Sequence, residues 1–85
     1  MPPNVHIIHK QLSEENLSQI EGELDRGQII FLDCGAYIEK FQDDIAKIKD
    51  TIDALKKVCF RRGGAFGRIG TELLILTPNP QIKLF

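Results

Sequence analysis

The sequence predicts an α/β two-layer sandwich, with two helices packed on one face of a four- to five-stranded mixed sheet. The expected order is β-α-β-α-β-β-β, with the other sheet face buried in a homodimer interface. Three observations carry this. The apolar spacing changes from that of a strand to that of a helix and back along the chain. The runs Ile29, Ile30, Phe31, Leu32 and Leu73, Leu74, Ile75, Leu76 place apolar side chains on both faces of any strand they form, because alternate residues point opposite ways. Finally, 85 residues make one domain, 1–85. A chain of that size buries only about 60–65% of its unfolded surface, so a second copy is expected to complete the burial.

The elements follow in order. Residues 5–10 are apolar with two histidines and read as a first strand. Ser13 is a suitable N-cap, with Glu14 and Glu15 in the turn where negative charge suits the helix dipole. Leu17, Ile20 and Leu24 then mark one helical stripe, stopped by Gly27. Residues 29–32 form the doubly apolar second strand. Ile38, Phe41, Ile45, Ile48, Ile52 and Leu55 alternate spacings of three and four, which predicts a long amphipathic helix. Asp43 or Asp44 is an alternative start, with residues 36–42 as a separate lead-in turn. Val58, Cys59 and Phe60 read as a strand entering a Gly63-Gly64 turn. Residues 65–69 and 73–76 read as two more strands around a Gly70-Thr71 turn, the last ended by Pro78 and Pro80. Ile82, Leu84 and Phe85 are expected to pack back or add an edge strand.

Charge is uneven. Residues 1–53 carry eleven acids and five bases, whereas residues 54–71 carry Lys56, Lys57, Arg61, Arg62 and Arg68 and no acid. A local basic surface of this kind suits an acidic partner or a second copy. No apolar run approaches the roughly 20 residues of a membrane span. Two cysteines, Cys34 and Cys59, in no paired-thiol or ligand spacing fit a reduced, intracellular protein.

Catalytic chemistry finds little support. His6 and His9 stand three apart on a strand, hence on opposite faces, and do not share a metal. Asp43 and Asp44 suit helix capping better than acid–base work. No nucleophile, base and acid share a site, and no cofactor or metal is expected. The glycine-rich stretch 61–70 lacks the Lys-Ser/Thr pair and the following helix of a phosphate cradle. It echoes an RRM signature and the GXXG of a KH domain, each in the wrong structural context. A small nucleic-acid-binding domain using the basic stretch 56–68, with Phe60 and Phe66, is the alternative reading; nucleic acid is otherwise not an expected partner.

Gly63-Gly64, then Arg68-Ile69-Gly70, then Glu72-Leu73-Leu74-Ile75-Leu76-Thr77-Pro78 resembles the hallmark of the SepF family of cell-division proteins. The motif covers residues 57–78, and the strand–helix order ahead of it agrees. The segment 33–57 is longer than in bacterial members, and the Pro-Asn-Pro-Gln-Ile-Lys tail is similar to archaeal ones. The resemblance implies a homodimeric, non-enzymatic adaptor in septum formation that binds the C-terminal peptide of the tubulin-like protein FtsZ. It places the protein in the cytoplasm, at the division site on the inner face of the cell membrane. In the family the peptide pocket uses the basic residue ahead of Ile-Gly and an aromatic in the last strand. These fall on Arg68 and on Leu74, which substitutes an apolar anchor for the aromatic, while Gly63, Gly64 and Gly70 supply the turns. Members usually carry an N-terminal amphipathic helix that tethers them to the membrane. This chain begins almost at its first strand, so membrane contact is expected only if such a helix precedes it.

Overall fold

A computed structural model describes residues 6–80. Strands β1 (Ile7–Gln11) and β2 (Ile29–Asp33) run parallel. Parallel neighbours need a crossover. Helix α1 (Leu17–Asp25) provides it, entered through a 3-10 turn at Glu14–Asn16. There Asn16 Oδ1 accepts the Ser13 backbone N–H at 3.1 Å, reaching back to satisfy a donor ahead of the turn. Strands β3 (Phe66–Ile69) and β4 (Leu73–Leu76) form an antiparallel hairpin around Gly70, and β4 also pairs antiparallel with β2. The spatial order is therefore β1-β2-β4-β3, a mixed sheet of four strands among the described residues. Val5, expected in the first strand, and Ile82, Leu84 and Phe85, expected to pack back, lie outside the described residues.

Between β2 and β3 the apolar stripe is divided. Helix α2 (Gly35–Lys40) ends at Phe41, and Asp44 caps α3 (Ile45–Arg61) by accepting the Lys47 backbone N–H at 3.1 Å. This is the capped arrangement with a lead-in rather than one long helix. The break rotates the register, which leaves Ile45 74% exposed while Leu55 and Cys59 are buried.

Residues 58–60 are a correction: they are the last turn of α3, not a strand. Cys59 lies four residues after Leu55, so the helical spacing continues inward past the point where the β-branched and aromatic residues suggested a change. Gly63 and Gly64 accordingly close a helix instead of turning between strands. Gly63 adopts φ +73°, its N–H donates to Phe60 O at 3.0 Å, and the Gly64 N–H donates to Cys59 O at 3.0 Å. These two bonds are the Schellman closure, which requires a left-handed residue and therefore favours glycine.

The helices cover one face of the sheet. Ile30, Leu32, Leu74 and Leu76 point into it and pack with Ile20, Leu24, Leu55 and Cys59. The opposite face presents Ile29, Phe31, Leu73 and Ile75, half-buried, flanked by Ile7 and Ile69 at 55% and 54% exposure. No described helix lies over this second face. Leu73 and Leu74 thus separate cleanly: Leu74 belongs to the core and Leu73 to the open face.

Candidate functional site

Among the described residues strand β3 lies at the edge of the sheet beside α3, and the two elements frame a groove of about 280 Å3 lined by Ile52, Lys56, Phe66, Arg68 and Leu74. Residues two apart on a strand share a face. Phe66 and Arg68 therefore both point to the helix side, and cross-strand pairing sets Arg68 directly opposite Leu74. The two residues singled out in the sequence are brought together. Arg68 is exposed, and Leu74 is 3% exposed and forms the groove floor as part of the core. Lys56 comes from the neighbouring helix, its Nζ 5.7 Å from the centre of the Phe66 ring. Among the described residues neither Lys56 nor Arg68 has an ion pair, and no carboxylate lines the groove. The result is an apolar trough with two cations at its rim. Its chemistry suits an apolar side chain followed by a carboxylate.

The rest of the basic stretch does not extend this surface. Arg62 turns back to α1, donating to Asp25 Oδ1 at 2.7 Å through Nε and to Glu21 Oε1 at 3.2 Å. Arg61 Nε reaches the Lys57 carbonyl at 3.4 Å. Phe60 is 59% exposed on α3. The five bases therefore do not form one continuous track.

The glycines position the groove. Gly64 carries β3 away from α3 so closely that a Cβ there would overlap the Thr77 carbonyl oxygen. The Thr77 N–H donates to Ala65 O at 3.0 Å, while the Ala65 N–H donates to Thr77 Oγ1 at 2.7 Å. The start of β3 is thereby fastened to the end of β4. Gly70 takes φ +67° in the turn between them.

A second cluster escaped the sequence reading because its members come from three separate segments. Glu14 accepts from Lys47 Nζ at 2.9 Å and lies 3.9 Å from Lys40 Nζ. Both ammonium groups stand over the Phe41 ring, at 5.2 and 4.7 Å from its centre. The hydrogen bond from Lys47 holds the Glu14 carboxyl below the usual range. Beneath it, Tyr37 Oη and Thr51 Oγ1 share a hydrogen bond of 2.8 Å. Hollows of about 430 and 320 Å3 border this cluster, but its charges are satisfied by one another. It latches the 3-10 turn, α2 and α3 together.

Cys34 and Cys59 are free and buried, and burial pushes each thiol up to about 11. A protonated, inaccessible thiol is a packing group rather than a nucleophile. His9 packs edge-on against Phe31, ring centres 5.2 Å apart, while the His6 backbone N–H donates to Gln28 Oε1 at 3.1 Å. Among the described residues no group of three or more His, Cys, Asp or Glu is placed to hold a metal. No helix among them is long and apolar enough to cross a membrane.

No protein-family model matches the chain, and no curated protein matches it. Solved structures do. A SepF-like protein from Archaeoglobus fulgidus superposes with a TM-score of 0.73 at 19% identity, covering 87% of this chain and 86% of that one. A SepF-like protein from Pyrococcus furiosus gives a TM-score of 0.73 at 20% identity, covering 100% of this chain and 99% of that one. The chain has the SepF-like fold over nearly its whole length.

Proposed function

We propose that the chain is a non-enzymatic cell-division adaptor that dimerises through its open sheet face. Its α3–β3 groove binds the C-terminal peptide of FtsZ, linking the division ring to itself or to the membrane, at the division site on the inner face of the cell membrane. The observation that carries this reading is the meeting of Arg68 and Leu74 in one groove, on a fold shared with SepF-like proteins. In this arrangement Leu74, Ile52 and Phe66 take an apolar peptide side chain, and Arg68 with Lys56 fixes a carboxylate beside it. Two such grooves per dimer raise the apparent affinity through effective concentration, so weak single contacts suffice. The apolar sheet face supports the dimer, since a contiguous apolar surface of several hundred Å2 is uncommon on a monomer.

Calorimetric titration with the tail peptide of the cognate FtsZ tests the reading. Arg68→Ala is expected to weaken binding by about 1.5–3 kcal/mol through loss of a charge-assisted hydrogen bond. Arg68→Lys restores part of it, because an ammonium lacks the planar fork. No binding by the wild-type protein at millimolar peptide refutes the proposal. Binding to generic DNA or RNA that weakens steeply with salt, by roughly 0.7–0.9 in log–log slope per phosphate, would favour the nucleic-acid alternative instead. The ion pairs of Arg62 with Glu21 and Asp25 argue against that outcome.

A further inference from the structure

The groove has a second side that the side chains alone do not reveal. In an antiparallel pair, residues alternate between those that exchange backbone hydrogen bonds with the neighbour and those whose N–H and C=O point away. The bond from the Thr77 N–H to Ala65 O fixes this alternation on β3. Ala65, Gly67 and Ile69 face β4. Phe66 and Arg68 therefore direct their N–H and C=O groups outward, to an edge that pairs with no described strand. These are the same two residues whose side chains point into the groove. The other edge strand, β1, lies across the sheet from the groove, and its outward Gln11 carbonyl accepts from Asn16 Nδ2 at 2.5 Å.

We infer that the peptide bound by the groove is added to the sheet as a fifth strand along β3, its backbone bonded to Phe66 and Arg68. The inference rests on the proposed function and specifies the form the peptide takes. In the antiparallel sense, the peptide residues opposite Phe66 and Arg68 turn their side chains under α3. One is apolar, against Ile52, Phe66 and Leu74. The other, two residues away, is acidic, between Lys56 and Arg68. Charge complementarity selects this occupant, because the groove has two unpaired cations among the described residues and no acid. Main-chain bonds then supply affinity, and the alternate side chains supply specificity.

The experiment joins amide exchange to peptide chemistry. In the free protein the Gly67 and Ile69 amides are expected to exchange slowly and those of Phe66 and Arg68 quickly. Adding the FtsZ tail peptide should slow Phe66 and Arg68 at least about tenfold. A scan of single backbone N-methylations along the peptide should weaken binding about tenfold at every second residue and little between them. For antiparallel addition the sensitive positions coincide with those sensitive to alanine; for parallel addition they fall out of phase. If the peptide binds, yet Phe66 and Arg68 keep their fast exchange and the scan shows no alternation, strand addition is wrong while the adaptor reading survives. If no peptide binds, both fall. If Phe66 and Arg68 are protected without peptide in proportion to protein concentration, a second copy takes the edge and the inference is overturned.

Discussion

Leu73 and Leu74 are adjacent in sequence and face opposite sides of β4, so exchanging each in turn separates folding from association. Leu74 is 3% exposed in the core. Its truncation to alanine is expected to cost about 2–5 kcal/mol. A domain of this length has roughly 4–13 kcal/mol in total, so the variant should unfold early in urea. Leu73 pairs across the strand with Asp33 on the open face. Leu73→Lys therefore places an ammonium beside a carboxylate in the monomer, which is expected to leave the folded chain intact, and the same pair between the sheets in the proposed dimer. Burying that Lys–Asp pair where an apolar contact stood is expected to cost about 1–4 kcal/mol, or roughly 5- to 900-fold in the dimer Kd. Sedimentation equilibrium read alongside urea unfolding distinguishes the two effects. The expected result is a folded monomer for Leu73→Lys and a destabilised protein for Leu74→Ala. A wild-type protein that sediments at 9.6 kDa at micromolar concentration refutes the sheet-to-sheet dimer. So does a Leu73→Lys protein that dimerises as tightly as the parent.

Three further predictions rest on single contacts. Both thiols are raised to about 11 by burial, so the folded state keeps its protons where the unfolded chain loses them. Stability present below pH 9 should fall toward pH 11 by on the order of 1 kcal/mol per thiol per pH unit, and the Cys34→Ala/Cys59→Ala protein should lack that slope. Gly64→Ala forces a methyl into the Thr77 carbonyl and should lower the thermal midpoint well beyond Gly63→Ala, which carries the left-handed backbone cost of about 1 kcal/mol and a tight Pro80 contact. Equal effects would mean that the α3–β3 join has slack. Tyr37→Phe removes the hydrogen bond to Thr51 and should cost about 0.5–1.5 kcal/mol in denaturant, with a Thr51→Ala double-mutant cycle giving the pairwise coupling.

Much of the architecture was legible in the chain because local signals agreed with the global answer. Gly27 stopped α1, Asp44 capped α3, and the doubly apolar runs gave the two central strands. The end of α3 was not legible, since Val58, Cys59 and Phe60 suit a strand and Gly63-Gly64 suits either a hairpin or a helix closure. Only the packing of Cys59 behind Leu55 decides between them. The facing of Leu73 and Leu74 was equally hidden, because alternation divides residues into two sets without saying which set meets the helices. For the groove, the motif supplied Arg68 and Leu74. Lys56 and Ile52 lie on another element, and nothing in their spacing connects them to β3.

The strand order also sets a timetable for synthesis. Strand β4 is last in the described sequence yet sits between β2 and β3 in the sheet. A nascent chain that has produced everything up to the Gly70 turn still holds β2 with one side unpaired, and Ile30 and Leu32 without their partners Leu76 and Leu74. Exposed apolar edges of this kind invite pairing between chains. The sheet therefore stays incomplete until β4 is made, and a stalled or truncated product lacking β4 is expected to be an aggregation-prone fragment rather than a smaller working version.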